Sequence, residues 1–248
     1  MKAKLIAAAA AALLTSTIAN AAEINLLASG AMREALLELM PQFEKASEHK
    51  IKVTWAGTLD INKRLNAGET FDLVIMAANG IDVHVKTGAL ATGSQTDLVK
   101  SGIGVAVKAG VPRPDVSSGE AVKKALLAAK TVGYSTGPSG VYMQGLFEKM
   151  GIADQIKAKG KQTPTGVLVA TIVASSDAEI GFQQVSELVH EKGIDFIGPL
   201  PADIQHITVF SAAVPSKAAQ PDAAKALVKF LTAPAQVPTI KKHGLDPA

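Results

Sequence analysis

Residues 26–33, LLASGAMR, most limit what this chain can fold into, because they join an apolar run to a helix through a turn of small residues. Ile24–Ala28 is a short apolar run of the kind that forms a buried strand. Beyond it, apolar residues recur at helical intervals, at Leu36, Leu37, Leu39, Met40 and Phe43. This part of the chain is therefore predicted to be a strand followed directly by a helix.

The order of strand, small-residue turn and helix recurs along the chain and predicts an α/β fold. Phe71–Ala78, FDLVIMAA, is a nearly continuous apolar run, which is typical of a parallel strand covered on both faces. Residues 102–107, GIGVAV, predict another buried strand. Strands that alternate with helices favour mainly parallel sheets flanked by helices.

The length of the chain favours two lobes, and we expect the cleft for a ligand to lie between them. The chain has 248 residues, of which 48% are hydrophobic and 19% are charged, so the composition is globular and a sizeable core is possible. We predict that residues 22–100 and 205–248 form lobe 1. Residues 101–204 are predicted to form lobe 2.

The first residues, Met1–Ala21, have the pattern of a secretory signal peptide. Lys2 and Lys4 make a basic start, Leu5–Leu14 is an apolar stretch, and Ala19–Ala21 supplies small residues for cleavage. No later segment is apolar for long enough to span a membrane. We therefore expect an exported, soluble protein of the periplasm with no membrane insertion.

Charge and residue content exclude several classes of partner and site. The formal net charge of +3 becomes +1 when Lys2 and Lys4 leave with the signal peptide, so nothing suggests a nucleic-acid partner. The absence of cysteine excludes disulfides, thiolate metal sites and a lipid-modified N-terminal cysteine. The five histidines show no metal-binding spacing, and we expect neither a metal nor a cofactor.

Small polar turns follow four predicted strands, and this arrangement favours the binding of an anion. The turns are Ser29-Gly30, Gly57-Thr58, residues 135–140 and residues 163–166. Ligands of open α/β sheets lie at the carboxyl ends of the strands. The helix N-termini found there present unpaired N–H groups and the positive end of the helix dipole.

Two arginines stand one turn into such helices. The chain has three arginines, and two of them, Arg33 and Arg64, follow a candidate turn. The planar guanidinium suits bidentate contact with a carboxylate, so this position favours a carboxylate ligand. The alternative, that both arginines lie on solvated helix faces, stays open at this point.

Several segments carry a resemblance to a known family. They are ASGAMREALLELMPQFEKAS, KVTWAGTLDINKRLNAGETFDLVIMA, GPSGVYMQGLFEKMGI, AEIGFQQVSEL and AAKALVKFLTAPAQVPTIKKHGL. Over nearly the whole chain after the signal peptide, the sequence resembles the type II periplasmic binding proteins, and among them the molybdate-binding branch. The divergent group with a GFQQ segment also resembles periplasmic aconitate isomerase. The resemblance implies a two-lobed fold that closes on an anion held by hydroxyls and backbone N–H groups.

The resemblance also implies individual ligand contacts. Ser29 matches the family's first ligand serine, and Thr58 stands where a second serine is usual. Ser139 matches a position that donates its backbone N–H group, and Gly166 falls near another such position. Gln184 stands where molybdate binders carry a tyrosine, and this departure favours an organic polycarboxylate over molybdate. The predicted ligand-binding residues are Ser29, Gly30, Arg33, Thr58, Arg64, Ser139, Gly140, Gly166 and Gln184.

Two functions are consistent with this sequence. The first is a monomeric solute-binding protein that captures a small anion, an organic polycarboxylate or an oxyanion, for an ABC importer. The second is a cofactor-free aconitate isomerase, which needs a base to remove a proton next to a carboxylate. Tyr142, His84 and Glu179 are possible bases. The sequence leaves open which of them would act and whether catalysis follows binding.

Overall fold

The computed structural model describes residues 21–248. The predicted signal peptide, Met1–Ala21, lies outside the described residues except for Ala21. In the described range two β-sheets are flanked by helices, and the predicted α/β fold class is confirmed. Every helix in this range is too short or too polar to cross a bilayer.

The first sheet has six strands. They are β1 (Glu23–Ser29), β2 (Lys50–Ala56), β3 (Leu73–Ala77), β4 (Thr96–Ser101), β10 (Thr208–Ala213) and β11 (Asp246–Pro247), in the order β11-β4-β10-β3-β1-β2. Its helices are α1 (Arg33–Ser47), α2 (Thr58–Asn66), α3 (Ala78–Lys86), α8 (Pro221–Leu231) and α9 (Val237–Lys242). Alternate residues of β1 serve the two faces, since Leu26 belongs to the core under α1 and α8 whereas Leu27 belongs to the core under α2 and α3.

The second sheet has five strands. They are β5 (Ile103–Lys108), β6 (Val132–Tyr134), β7 (Gly160–Gln162), β8 (Ile180–Gln184) and β9 (Ile194–Pro199), in the order β7-β6-β8-β5-β9. Its helices are α4 (Gly119–Ala128), α5 (Pro138–Lys149), α6 (Ala153–Lys157) and α7 (Val169–Ala174). Val105 and Ala106 of β5 lie in different core clusters, so this sheet is also buried on both faces.

The sheets are more mixed than the sequence suggested. β1 pairs in parallel with β2 and β3, and β6 pairs in parallel with β7 and β8. By contrast, β10 is antiparallel to β3 and β4, and β5 is antiparallel to β8 and β9. The chain crosses between the sheets at Gly102 and again over residues 200–207. Because the strands beside these crossings run against their neighbours, the parallel pairing is confined to three strands in each sheet.

Candidate functional site

A small cavity of about 50 Å³ lies where strand ends of both sheets meet. The first sheet contributes the residues that follow β1 and β2, and the second contributes those that follow β6, β7 and β8. The cavity is lined by Ser29, Gly30, Arg33, Trp55, Ala56, Gly57, residues 135–138, Thr163, Pro164, residues 166–168, Gln183 and Glu187. This is the usual position of a ligand in an open α/β sheet.

Two long helices begin at this cavity without a side chain that caps them. α2 begins after Gly57 and α5 begins after Gly137, and neither glycine has a side chain that could accept a hydrogen bond from the first turn. The first N–H groups of a helix have no partner within the helix, and the dipole adds positive potential there. The positive ends of both helix dipoles therefore lie at the cavity, where Gly57 and Pro138 are part of the lining.

Ser29, Gly30 and Gly166 line the cavity, and their role as ligand contacts stays a prediction. The Oγ of Ser29 accepts a hydrogen bond from the backbone nitrogen of Ala31 at 3.4 Å, close to the outer limit for such a bond. Its O–H remains able to donate to a ligand. Gly166 has a φ of 82°, a left-handed conformation that favours glycine.

Arg33 brings a positive charge to the cavity. Its Cζ lies 5.8 Å from the ring centroid of Trp55, within range of a cation–π attraction that holds the guanidinium over the ring. The ion pairs among the described residues do not include Arg33. Its charge and its donor groups are therefore available to an anion.

Glu187 brings a carboxyl group to the cavity, and sequence reasoning missed it. The residue ends a short 3-10 turn that follows β8, so its one signal in the sequence is an acidic residue just beyond a buried strand. Burial raises the pKa of this carboxyl to about 7, and the charge of Glu191 acts in the same direction. Hydrogen bonding from the Gln183 side chain and the Gln184 backbone lowers the pKa and offsets part of this effect. Near neutral pH the group can take up or release a proton.

Ser139 and Gly140 do not line the cavity but shape the turn between β6 and α5. The Oγ atoms of Ser139 and Ser135 lie 3.1 Å apart, and the Ser135 Oγ also accepts from the backbone nitrogen of Gly137 at 3.1 Å. A β-carbon on Gly140 would collide with the carbonyl oxygen of Ser135. The small residues therefore allow α5 to begin directly beside the strand end, and this sets the position of its N-terminus.

Thr58 and Arg64 are also absent from the cavity lining. Thr58 borders an adjacent groove that it shares with His206. Arg64 donates from Nε to Asp60 at 3.0 Å and from Nη1 to Glu69 at 3.0 Å. These partners raise the pKa of the guanidinium and engage its Nε and Nη1 away from the cavity, and contact between Arg64 and a ligand stays a prediction.

Gln184 lies where the chain crosses between the sheets, and its neighbour Gln183 lines the cavity instead. With the Gln184 amide oriented so that both its ends are paired, its nitrogen donates to the carbonyl oxygen of Gly102 at 3.0 Å and its oxygen accepts from the Thr208 Oγ1 at 3.1 Å. Gln183 accepts a hydrogen bond from the backbone nitrogen of Val169 at 2.7 Å. Successive strand residues face opposite sides, so the two amides have different roles.

The three residues predicted as possible bases all lie outside the cavity lining. Tyr142 donates to the carbonyl oxygen of Ile204 at 2.8 Å. His84 is buried and pairs through Nε2 with the Asn62 Oδ1 at 2.9 Å. Glu179 accepts a hydrogen bond from the backbone just before β6. Each of these groups joins neighbouring parts of the fold.

The polar groups of the cavity can hold an anion and exchange a proton with it. Arg33, the Ser29 hydroxyl and the two helix N-termini offer positive charge and hydrogen-bond donors, and Glu187 can accept or give a proton. Across residues 21–248, no group of three or more metal-ligating side chains is placed to hold a metal ion.

The family model described as bacterial extracellular solute-binding protein matches residues 24–246. The chain belongs to the bacterial extracellular solute-binding proteins. This solute-binding protein is 36% identical over 245 residues to an aconitate isomerase from a Pseudomonas species, which covers 95% of the chain and 93% of the relative. It is 23% identical over 234 residues to the molybdate-binding protein ModA of Escherichia coli, and the match covers 92% of this chain and 91% of that relative.

The fold of this solute-binding protein matches that of a solved relative. The periplasmic molybdate-binding protein of Azotobacter vinelandii superposes with a TM-score of 0.75 at 16% identity, over 90% of this chain and 98% of that one. Together with the family match, this confirms the resemblance to type II periplasmic binding proteins of the molybdate-binding branch.

Proposed function

We propose that this protein binds a small organic polycarboxylate in the cavity and moves a double bond within it, interconverting cis- and trans-aconitate. The observation that carries the proposal is Glu187, a carboxyl group with a pKa of about 7 in a cavity otherwise suited to an anion. A binding site alone gains nothing from a negative charge beside an anionic ligand. A catalyst of proton transfer needs a base with a pKa near the working pH.

The reaction needs only two proton transfers, one from the substrate to Glu187 and one from Glu187 back to the substrate. Glu187 removes a proton from the methylene carbon of aconitate, and the electron pair left behind spreads over the neighbouring double bond and its carboxylates. The protonated Glu187 then returns the proton to the carbon that was vinylic. The double bond has moved by one position, and the product is again aconitate. The new double bond can form in the trans geometry, so cis-aconitate can become trans-aconitate. No oxidant, reductant or second substrate is consumed.

The remaining groups stabilise the charge that develops between the two transfers. Arg33 pairs with a substrate carboxylate, and Gly57 and Pro138 bring the positive ends of the α2 and α5 dipoles to the cavity. Fixed donors in a small cavity act more strongly than water does, because they need no reorganisation during the reaction. The 36% identity to an aconitate isomerase over nearly the full length supports the same substrate class.

A second candidate is a solute-binding protein that delivers a small anion to an ABC importer. It is favoured by the family match and by the molybdate-binding relatives. In this case Glu187 in its protonated form would donate a hydrogen bond to the anion. The protein would work as a monomer in the periplasm, after export directed by residues 1–21, and a membrane permease would be its partner.

Incubation of the purified protein with cis-aconitate tests the first proposal. Chromatography should show trans-aconitate forming well above the rate in buffer. In D2O the product should carry deuterium at carbon, because Glu187 exchanges its proton with solvent between the two transfers. Calorimetric titration with molybdate, tungstate, sulfate and cis-aconitate separates the candidates. Tight binding of an anion without conversion favours the importer component, and no conversion above buffer contradicts the isomerase.

A further inference from the structure

Thr163 has a buried hydroxyl group that no protein group satisfies. The residue follows β7 and lines the cavity, and it is only 2% exposed. Its backbone nitrogen donates to the carbonyl oxygen of Tyr134 at 2.9 Å, which fixes its position beside the end of β6. The Oγ1 has no hydrogen-bond partner among the described residues. Leaving such a group unpaired is unfavourable, and native proteins rarely do so.

Other hydroxyls at the same end of the second sheet have partners within the fold. Ser135 and Ser139 pair with each other, and Ser135 also accepts from the backbone of Gly137. These two groups maintain the turn before α5. Ser135 also lines the cavity, but Thr163 differs because its hydroxyl has no structural bond to maintain.

We propose that Thr163 is a specificity-determining ligand contact, whose hydroxyl donates a hydrogen bond to an anionic oxygen of the bound ligand. The inference rests on the proposed binding of an anion in this cavity. A carboxylate or oxyanion oxygen can only accept hydrogen bonds, and a threonine hydroxyl can donate one. A bound anion therefore satisfies the group that the protein leaves unpaired.

The position of Thr163 gives the contact a role distinct from that of Arg33. Arg33 follows β1 of the first sheet, and Thr163 follows β7 of the second sheet. A ligand that contacts both Arg33 and Thr163 is therefore bound from the two sides of the cavity. A neutral analogue could still fill the space, but it would form a weaker bond to the hydroxyl, because hydrogen bonds to charged groups are about twice as strong.

Thr163→Val tests the inference, because valine keeps the shape and removes the hydroxyl. Binding is followed by the fluorescence of Trp55, the only tryptophan of the chain, which lines the same cavity. The probes are tricarballylate, which lacks the double bond and cannot be isomerised, and molybdate. We expect the affinity for the anion that binds wild type to fall about tenfold in Thr163→Val, which corresponds to about 1.4 kcal/mol. Thr163→Ser should stay within about threefold of wild type.

Thr165→Val is the matched control, since Thr165 is exposed two positions along and does not line the cavity. It should leave the affinity unchanged. Thr163→Val should also melt at or above the wild-type temperature without ligand, because it removes an unsatisfied group. A lower melting temperature would show that the hydroxyl has a structural partner and would overturn the inference.

The outcomes separate this inference from the proposed isomerase. Unchanged affinity in Thr163→Val overturns the role of Thr163 and leaves the isomerase intact. Binding that weakens in Thr163→Val, with no conversion of cis-aconitate by wild type, supports Thr163 and contradicts the isomerase. If wild type binds neither probe and does not convert cis-aconitate, both the role of Thr163 and the proposed isomerase are overturned.

Discussion

Gly30 and the carboxyl group of Glu187 pack directly against each other, so that a β-carbon built on Gly30 would lie 3.0 Å from the Oε1 of Glu187. Gly30 follows a strand of the first sheet, and Glu187 follows a strand of the second. The proposed base is therefore positioned by contact between the two sheets, and the smallest residue in the chain makes room for it.

Gly30→Ala should displace the Glu187 carboxyl while leaving the fold intact. The added methyl group meets only the end of a flexible side chain, so the free energy of unfolding should change by no more than about 1 kcal/mol. Displacement of a catalytic group by up to 1 Å can lower the rate by about 10²-fold, and we expect kcat for isomerisation to fall about 10- to 100-fold.

The control for this change is Gly145→Ala on α5. A β-carbon there meets nothing within 4 Å, so activity should be unchanged. Its stability should rise by up to about 1 kcal/mol, because alanine favours a helix over glycine. Equal activity in Gly30→Ala and Gly145→Ala would contradict the role given to the Gly30–Glu187 contact.

Glu187→Gln should slow turnover strongly but should not weaken binding. The amide cannot take a proton from the substrate, and loss of a general base commonly lowers kcat by about 10²- to 10⁴-fold. Affinity for tricarballylate, measured by Trp55 fluorescence, should be equal or higher because a negative charge has been removed. Glu179→Gln is the comparison, since its carboxyl lies outside the cavity and amide oxygen can accept the same hydrogen bond. Full activity in Glu187→Gln would exclude this residue as the base.

The activity should rise with pH through the pKa of Glu187. The base is active only when deprotonated, so kcat/KM should increase about tenfold per pH unit below about 7 and level off above it. A bound anion beside the carboxyl disfavours its charged form, so the midpoint for kcat should lie higher than that for kcat/KM. Initial rates from pH 5 to 9, corrected for ionisation of the substrate, measure the midpoints of kcat and of kcat/KM. A profile that is flat across pH 7 would contradict the assignment.

Arg33→Gln should weaken the binding of tricarballylate about 100-fold, since it removes the guanidinium at the cavity. Arg33→Lys keeps the charge without the planar fork and should recover part of the loss. Arg64→Gln is the matched control. Arg64 is occupied by Asp60 and Glu69, so its replacement should leave affinity unchanged and cost about 1 kcal/mol of stability or less. A larger loss of affinity in Arg64→Gln than in Arg33→Gln would contradict the site described here.

Apolar patterning was enough to predict the fold class and the turn that holds Ser29 and Gly30. The strand β4 was missed because its sequence, TDLVKS, mixes polar and apolar residues and its pairing comes from distant parts of the chain. Arg64 was open to either interpretation. The i,i+4 spacing from Asp60 already favours a pair on the surface of a helix.

The choice between Gln183 and Gln184 could not be made from their sequence alone. The two residues are adjacent in a strand, so a shift of one position decides which amide enters the cavity. Glu187 was missed for a different reason. Its pKa depends on burial by parts of the chain that are distant in sequence, and no local pattern reports that.

The Gln184 amide is bonded on one side to Gly102 and on the other to Thr208, so a single side chain ties together both passages of the chain from one sheet to the other. The cavity of about 50 Å³ has space for on the order of four water molecules, less than a tricarboxylate needs, so we expect the sheets to move apart when such a ligand binds. Sliding would break the bonds at the amide, whereas rotation about it preserves them. We therefore expect the two sheets to rotate about this amide when a ligand enters, so that Glu187 and Arg33 return to the same relative positions when the cavity closes.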